Sequence, residues 1–356
     1  MRLDWVKSTA AFIGIASCVI ISQQAQAATS FAGRTIHLVI NFTPGGAVDS
    51  FFRLLTPALE KHLPGNPKVV VENRPGAGGR LAASYLYYVA KPDGLTIGGM
   101  AGIANDVFAT EDVKYDTTKF TWLGAVPQTQ VMLIRRDLGV NSAADLPARE
   151  LILAETGDNS NNFIASALAL RLMGVKFRAV QGYPGQTNTI QAVRQGEASA
   201  TDVGAPFYLP NKDAWEREGV FHAILQRGDM QEDGSFMRSP LLPDIATMPE
   251  AITQLNPRGV GSVEFAAYRM IAATYALQYA LIAPPNLPAD VMQALRDGLA
   301  TALGDPETVA TIKDKLQLTY NFVPGARAAA LIAKLPEEAT ARPDAQELIR
   351  KMSAPK

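Results

Sequence analysis

The patterned part of the chain opens with a short apolar run, Ile36-His37-Leu38-Val39-Ile40, closed by a proline-glycine turn. A β-rich run bounded by turn residues predicts a strand. Over 49–63 the spacing changes: Phe52, Leu55, Leu59 and Leu63 recur at three or four residues, and Pro64-Gly65-Asn66-Pro67 follows. That period predicts a helix with a stop. Val69-Val70-Val71 predicts a second strand, 80–90 a second helix ended by Lys91-Pro92-Asp93-Gly94, and 95–99 a third strand. Strands alternating with helices at this interval predict an α/β fold with a parallel sheet.

A polar, irregular stretch over 106–121 is followed by strand-like runs at 122–126 and 130–134. The strand-helix plan then repeats: strands at 151–154, 177–180 and 198–203, with helices at 163–173 and 188–195. This predicts a second, similar domain, although the halves share no close sequence repeat. Residues 226–262 are rich in Gly, Pro, Asp and Met and predict a long excursion from that domain. Beyond a mostly apolar stretch at 268–282 and a rigid bend at 283–288, amphipathic helices are expected at 291–303, 307–315 and 326–335. The expected division is 28–126 with 280–356 as one domain and 127–279 as the other.

Four glycine or polar turns lie between a strand and a helix: residues 43–49, 72–79, 155–162 and 181–187. Such turns point backbone N–H groups and the positive end of a helix dipole at one spot, which suits a carboxylate. They stand at strand C-termini, where parallel sheets bind ligands. The candidate ligand-binding residues are Pro44, Gly45, Gly46 and Asp49 in the first turn, and Gly78, Gly79 and Arg80 in the second. Ala101 joins them from just past the third strand. Thr156, Gly157, Asn159 and Ser160 come from the third turn, Tyr183 and Gly185 from the fourth, and Asp202 from a strand end.

Each has a plainer alternative. The glycines could serve only as tight connections. Asp49 could cap its helix, and Asn159, Ser160 and Asn161 could cap the helix at Phe163. Arg80 is a cation in a first helical turn, an unfavourable place that a carboxylate ligand would offset and that solvent would tolerate. Arg74, made rigid by Pro75, could hold its turn through carbonyls. Tyr183 could stack on a ligand or fill a core. Asp202 could accept a hydrogen bond from a ligand hydroxyl or amine, or cap a helix.

Arg2 and Lys7, an apolar run at 9–21 too short to span a bilayer, and Ala25-Gln26-Ala27 together predict a secretory signal peptide over 1–27. Ile15-Ala16-Ser17-Cys18 also fits a lipoprotein box, but the apolar run continues past it and a small-x-small site follows, which favours soluble export. The single cysteine, Cys18, lies in that leader, so the mature chain would carry no disulfide, which fits a bacterial periplasm. The formal net charge of −1 argues against nucleic acid and anionic lipid as partners. His37, His62 and His222 share no metal-ligand spacing, and no nucleophile elbow, zinc-protease or phosphate-loop motif occurs. No cofactor, metal or catalytic residue is expected.

Phe42-Thr43-Pro44-Gly45-Gly46 with Asp49, then Val71-Glu72-Asn73-Arg74-Pro75-Gly76-Ala77-Gly78-Gly79, then Ala90-Lys91-Pro92-Asp93-Gly94-Leu95-Thr96 follow one another at specific spacing. Asp145-Leu146, the stretch from Gly185 to Gly196-Glu197, Ala283-Pro284, and Leu303-Gly304-Asp305-Pro306-Glu307 extend the pattern. In these motifs, over about 34–335, the chain resembles the Bug-type substrate-binding receptors of tripartite tricarboxylate transporters. The resemblance implies a Venus-flytrap fold of two α/β domains joined by crossing strands. It implies a small organic acid bound in the cleft through backbone N–H groups and water, and the membrane subunits of such a transporter as partners of a monomeric receptor. The chain departs from the pattern at Thr156-Gly157-Asp158-Asn159-Ser160, at Gly182-Tyr183-Pro184-Gly185, and in the long excursion. A larger or less acidic ligand than a simple dicarboxylate is therefore expected. A receptor feeding a sensor kinase and a periplasmic hydrolase of small carboxylic esters remain as alternatives.

Overall fold

The computed structural model describes residues 29–353 except 109–112, 156–160, 184–185, 232 and 317. The expected leader lies outside the described residues.

In chain order the first segment holds β1 (Thr35–Ile40), α1 (Ala47–His62), β2 (Lys68–Asn73), α2 (Arg80–Tyr88), β3 (Thr96–Ala101) and β4 (Thr121–Val126). β1 pairs in parallel with β2 on one side and β3 on the other. Helix α1 lays Phe51, Phe52, Leu55 and Leu59 against these strands, all fully buried or nearly so. Gly99 makes this packing possible: a Cβ there would stand 2.8 Å from the Phe52 ring.

The chain then crosses to β5 (Gln130–Arg135), β6 (Glu150–Ala154), α3 (Asn161–Leu172), β7 (Lys176–Val180), α4 (Gln186–Gln195) and β8 (Ala200–Gly204). The short helices α5 (Ala205–Tyr208) and α6 (Lys212–Glu218) lead to β9 (Phe221–Gln226). Next come β10 (Asp229–Met230), β11 (Phe236–Met237), β12 (Ala246–Thr247), α7 (Met248–Leu255) and α8 (Val263–Thr274). The chain finally recrosses to β13 (Tyr279–Ala283), α9 (Ala289–Gly304), α10 (Pro306–Leu316), β14 (Val323–Pro324), α11 (Gly325–Ala341) and α12 (Pro343–Ser353).

Two six-stranded sheets result, ordered β14-β4-β13-β3-β1-β2 and β12-β9-β5-β8-β6-β7. The fold is thus two α/β units joined by crossing segments, as the sequence predicts. The expected parallel pairing holds for β1, β2 and β3 and for β6, β7 and β8, but each sheet also contains antiparallel pairs. β13 runs antiparallel to β3 and β4, and β5 runs antiparallel to β8 and β9. Those two strands carry the chain into each sheet from the other, so they enter against the direction of their neighbours. The crossing segments lie side by side, with the Gln128 N–H donating to the Tyr275 carbonyl at 3.0 Å.

The excursion at 226–262 is more ordered than its composition suggests. Gln226, fully buried, donates through Nε2 to the carbonyls of Leu242 (2.7 Å) and Ile245 (2.6 Å) and accepts from the Ser239 N–H (2.8 Å). One side chain so satisfies three backbone groups of a loop that has few of its own bonds. Thr247 and Glu250 form a reciprocal cap at the start of α7, which makes a helix there. The C-terminal segment also divides differently from the expected 280–356 unit. α12 buries Ala345 and Ile349 in the core of the second sheet, against α8 and α3, because its apolar positions recur at three and four residues. No helix among the described residues is long and apolar enough to cross a membrane.

Candidate functional site

A cleft lies between the two sheets, at the ends of their strands. Its wider part, about 360 Å³, is walled by Phe42, Ala101, Tyr279 and Leu318 on one side and by Pro206 and Phe207 on the other. A deeper recess of about 190 Å³ opens from it, and Gln130, Gln186 and Gln278 border both. Phe42 follows β1, Ala101 ends β3, Glu155 follows β6, Asp202 lies in the middle of β8 and Gly204 ends it. Strand C-termini of both sheets therefore supply the lining, as expected for open α/β sheets. Val48, Asn162 and Gln186 stand in the first turns of α1, α3 and α4, so three helix N-termini border the cleft. Their dipoles favour negative charge there.

An aromatic floor fixes the first wall. Phe51 touches Tyr279 and Tyr320 with ring centroids 5.2 and 5.9 Å apart, and Tyr320 donates to the Leu303 carbonyl at 2.9 Å. Burial pushes the Tyr279 hydroxyl up to about 12, so it stays neutral at the cleft.

In the first turn, Pro44, Gly45 and Gly46 are exposed, whereas Asp49 is buried behind them. The Asp49 carboxylate accepts from the Gly45 N–H (2.9 Å), Arg53 Nε (2.8 Å) and Asn73 Nδ2 (2.7 Å). Burial opposes its ionisation, but these donors outweigh burial and hold the carboxyl below its usual range. Asp49 thus ties the turn to α1 and β2.

In the second turn, Gly79 has φ +95°, and a Cβ there would lie 2.3 Å from Asn41 Nδ2. Asn41 in turn bonds Ala101 twice, donating to its carbonyl and accepting from its N–H, each at 3.0 Å. The two residues picked from sequence, Gly79 and Ala101, are therefore joined through one that was not. Gly78 lies in the short helical turn before α2. Arg80 faces Asp106, with Nε 3.1 Å from Oδ1, and Tyr115 donates to the other oxygen at 2.6 Å. Neither Arg80 nor Asp106 lines the cleft. Arg74 lies over the Tyr85 ring at 3.8 Å and so steadies its turn by stacking.

Thr156, Gly157, Asn159 and Ser160 of the third turn, with Asp158, and Gly185 of the fourth lie outside the described residues. Tyr183 packs beside the second core, its hydroxyl 3.4 Å from a Glu197 oxygen and its N–H 3.3 Å from the Glu155 carbonyl.

Asp202 lines the deep recess. Its carboxylate accepts from the Ser166 hydroxyl and from Arg227 Nη2 at 3.4 Å. Arg227, fully buried, also reaches Asn162 Oδ1 at 3.0 Å and lies 4.4 Å over the Tyr275 ring. Tyr268 donates to the Arg227 carbonyl at 2.9 Å, which fixes the backbone from which the guanidinium extends. Burial pushes Asp202 up to about 6, with Arg227 opposing. Glu155 rises well above its usual range through burial and then through the charge of Asp202, again against Arg227. Glu155 Oε1, Asp202 Oδ1, Gln130 Oε1 and Arg227 Nε and Nη1 are buried without a hydrogen-bond partner.

The sequence did not single out Glu155, Arg227, Gln130, Gln278 or Tyr279. Their signal is positional: Glu155 and Arg227 directly follow an apolar strand, Gln130 and Tyr279 begin one, and Gln278 directly precedes one. Among the described residues, no cluster of His, Cys, Asp and Glu is arranged to hold a metal ion. His37 and His62 instead pair with Glu72 and Asp305, each at 2.6 Å.

No family model matches the chain. It is 27% identical over 316 residues to a UPF0065 protein of Cupriavidus necator, covering 85% of this chain and 83% of that one. It is 27% identical over 306 residues to a UPF0065 protein of Pseudomonas sp. strain P51, covering 82% and 85%. Among solved structures it matches a TctC solute-binding protein from Polaromonas with a TM-score of 0.69 at 17% identity, over 90% of this chain and all of the other. MatC from Rhodopseudomonas palustris, with bound malate, matches with a TM-score of 0.56 at 22% identity, over 89% of this chain and all of the other. The periplasmic binding protein BugD matches with a TM-score of 0.55 at 22% identity, over 90% and 98%. The UPF0065 relatives along most of its length, and two α/β units folded as in TctC and BugD, support the chain's resemblance to the Bug-type solute-binding proteins of tripartite tricarboxylate transporters.

Proposed function

We propose that the protein is a periplasmic receptor that captures a small organic acid in its cleft and delivers it to a membrane permease of the tripartite tricarboxylate type. The observation that carries this reading is the cleft, whose walls come from two sheets joined through crossing segments at 127–129 and 275–278. Walls joined in this way can close on a ligand, provided that the ligand binds the closed form better than the open one. The helix N-termini of α1, α3 and α4 at the cleft support a negatively charged group. MatC, which shares the fold, holds malate, and this supports an acid as the ligand class. Of the candidates, Ala101 at the end of β3 would face the acid, while Asp49, Gly79 and Arg80 would hold the surrounding backbone.

A thermal-shift screen of residues 28–356 against aliphatic, aromatic and amino acids and neutral sugars tests the reading. An acid at a hundred times its dissociation constant should stabilise the fold by about 2.7 kcal/mol. The ligand should be recovered unchanged. Stabilisation by neutral sugars alone, or consumption of the acid, would sink the proposal. Delivery is tested separately by co-purification with the permease subunits in the presence of the acid.

A further inference from the structure

We propose that α11, α12 and the single residue joining them form a strap across the back of the molecule, which holds the cleft toward its open form and so limits how far it closes. This rests on the reading that the cleft closes and goes beyond it; it does not depend on which acid is bound.

The argument begins with the two faces of the joined sheets. α1, α9 and α10 cover one face of the first sheet, and α4, α5 and α6 cover one face of the second. The wider cleft lies on that side, since Val48 of α1, Leu316 of α10, Gln186 of α4 and Phe207 of α5 line it. The opposite faces carry α2 and α11 on the first sheet and α3, α7, α8 and α12 on the second. The crossing segments, 127–129 and 275–278, run between the two sides. Closing the cleft in front of such a hinge draws the helices behind it apart.

The helices behind the hinge are tied together. α11 buries Ala328, Leu331, Ile332 and Leu335 in the core of the first unit, but Ala339, one turn further on, lies in the core of the second. α8 packs against α11, and its Ala273 reaches into the first core. Arg269 of α8 faces Glu338 of α11, with Nη2 3.8 Å from Oε1, so an ion pair also spans the seam. The chain itself then crosses: α11 ends at Ala341, α12 begins at Pro343, and Arg342 alone joins them. Ala345 and Ile349 anchor α12 in the second core.

The joint has little slack. One residue spans at most about 3.6 Å. Pro343 restricts the backbone of Arg342, and the Arg342 guanidinium donates to both Asp344 oxygens, at 3.0 and 3.1 Å. The seam beneath it is not close-packed. A cavity of about 320 Å³ opens there, lined by Phe265, Ala266 and Met270 of α8 and by Glu338 and Ala341 of α11. Helices that meet over a gap slide at lower cost than close-packed ones. The seam therefore yields to closure, and the strap sets how far.

Disulfide trapping across the cleft tests this without a ligand. The only cysteine of the chain is Cys18, so residues 28–356 carry none, and Phe42→Cys with Phe207→Cys places one on each wall. In oxidised glutathione, the rate at which the pair bonds reports how often the walls meet, once corrected for the reactivity of each cysteine alone. A Gly-Ser linker of about six residues inserted between Ala341 and Arg342 lengthens the strap and leaves both helices their own docking sites. The expected result is trapping faster by about three-fold or more, with thermal unfolding confirming that the variant is folded. Arg342→Gly loosens the joint without lengthening it and should speed trapping in the same direction, which keeps the test open if the linker variant does not fold. The same linker placed after Gly174, in the turn between α3 and β7, should leave the rate unchanged. Unchanged or slower trapping in the folded strap variants, or an equal rise with the linker at Gly174, overturns the proposal. No trapping in any form overturns closure itself and the strap with it. Faster trapping in the strap variants while no acid stabilises the chain in the thermal-shift screen keeps the strap and removes the acid. Stabilisation by an acid with trapping unchanged removes the strap and keeps the receptor.

Discussion

Asp49 beside the first turn and the Glu155–Asp202 pair at the second sheet are equally hidden from solvent, at 2% and 3% exposure. They titrate in opposite directions all the same. Asp49 meets a backbone N–H, a guanidinium and an amide, and its carboxyl is held low. Glu155 and Asp202 share one guanidinium and keep unpartnered oxygens, and both are pushed up. Asp49 lies just beneath the surface beside a half-exposed Arg53, whereas Glu155 and Asp202 lie deep, so a smaller loss of hydration and a larger number of donors together set the sign. Asp49 spends its acceptors on the fold, whereas the pair keeps some in reserve.

The comparison can be broken most severely at Arg227. Arg227→Met leaves two buried carboxylates without a counter-ion, and urea unfolding at pH 7.5 should show a loss of about 3–5 kcal/mol. A loss below 1 kcal/mol would mean that the carboxylates do not depend on it.

The pH response comes next. Asp202 has a folded value of about 6 against an ordinary 3.8, so its stabilising contribution is full below about 4 and is lost as pH rises through about 6. Glu155 acts in the same direction. The ligand-free protein should gain on the order of 1 kcal/mol from Asp202 between pH 7 and pH 5, with Glu155 adding in the same direction. Asp202→Asn should flatten that slope, which melting temperatures across the range would read. A slope of the opposite sign would contradict the assignment.

Asp49 predicts the reverse at lower pH. Its folded value is depressed, so its contribution is present above about 4 and fades as pH falls through the folded value. Asp49→Asn should cost about 1–3 kcal/mol at neutral pH, because its donors lose a charged acceptor. The cost should shrink toward pH 3. The smallest effect on stability is expected at the rim: Phe42 is 42% exposed, so Phe42→Ala should alter stability by about 0.5 kcal/mol or less. It should still weaken ligand binding by about five-fold through lost apolar contact. Unchanged affinity would remove Phe42 from the ligand-facing wall.

Much of the frame was legible along the chain. The run at 36–40 and the three-and-four spacing of Phe52, Leu55 and Leu59 give β1 and α1 to within two residues, because local periodicity and turn chemistry decide such elements. The excursion was not legible, since its order depends on Gln226 reaching three backbone groups up to nineteen residues away. α12 was also unforeseen as part of the second core, because its apolar face does not announce which surface it will meet.

The site divides in the same way. Sequence alone determined that glycine turns would stand at strand ends, since Gly79 at φ +95° takes a backbone conformation that favours the absence of a side chain. It also marked Asp202 as a possible acceptor. Only the tertiary structure decided that Asp49 would be consumed by the fold and that Glu155, Asp202 and Arg227 would share one recess. Charge balance in a buried site is set by which side chains meet across sequence distances of tens of residues, and no local pattern carries that information.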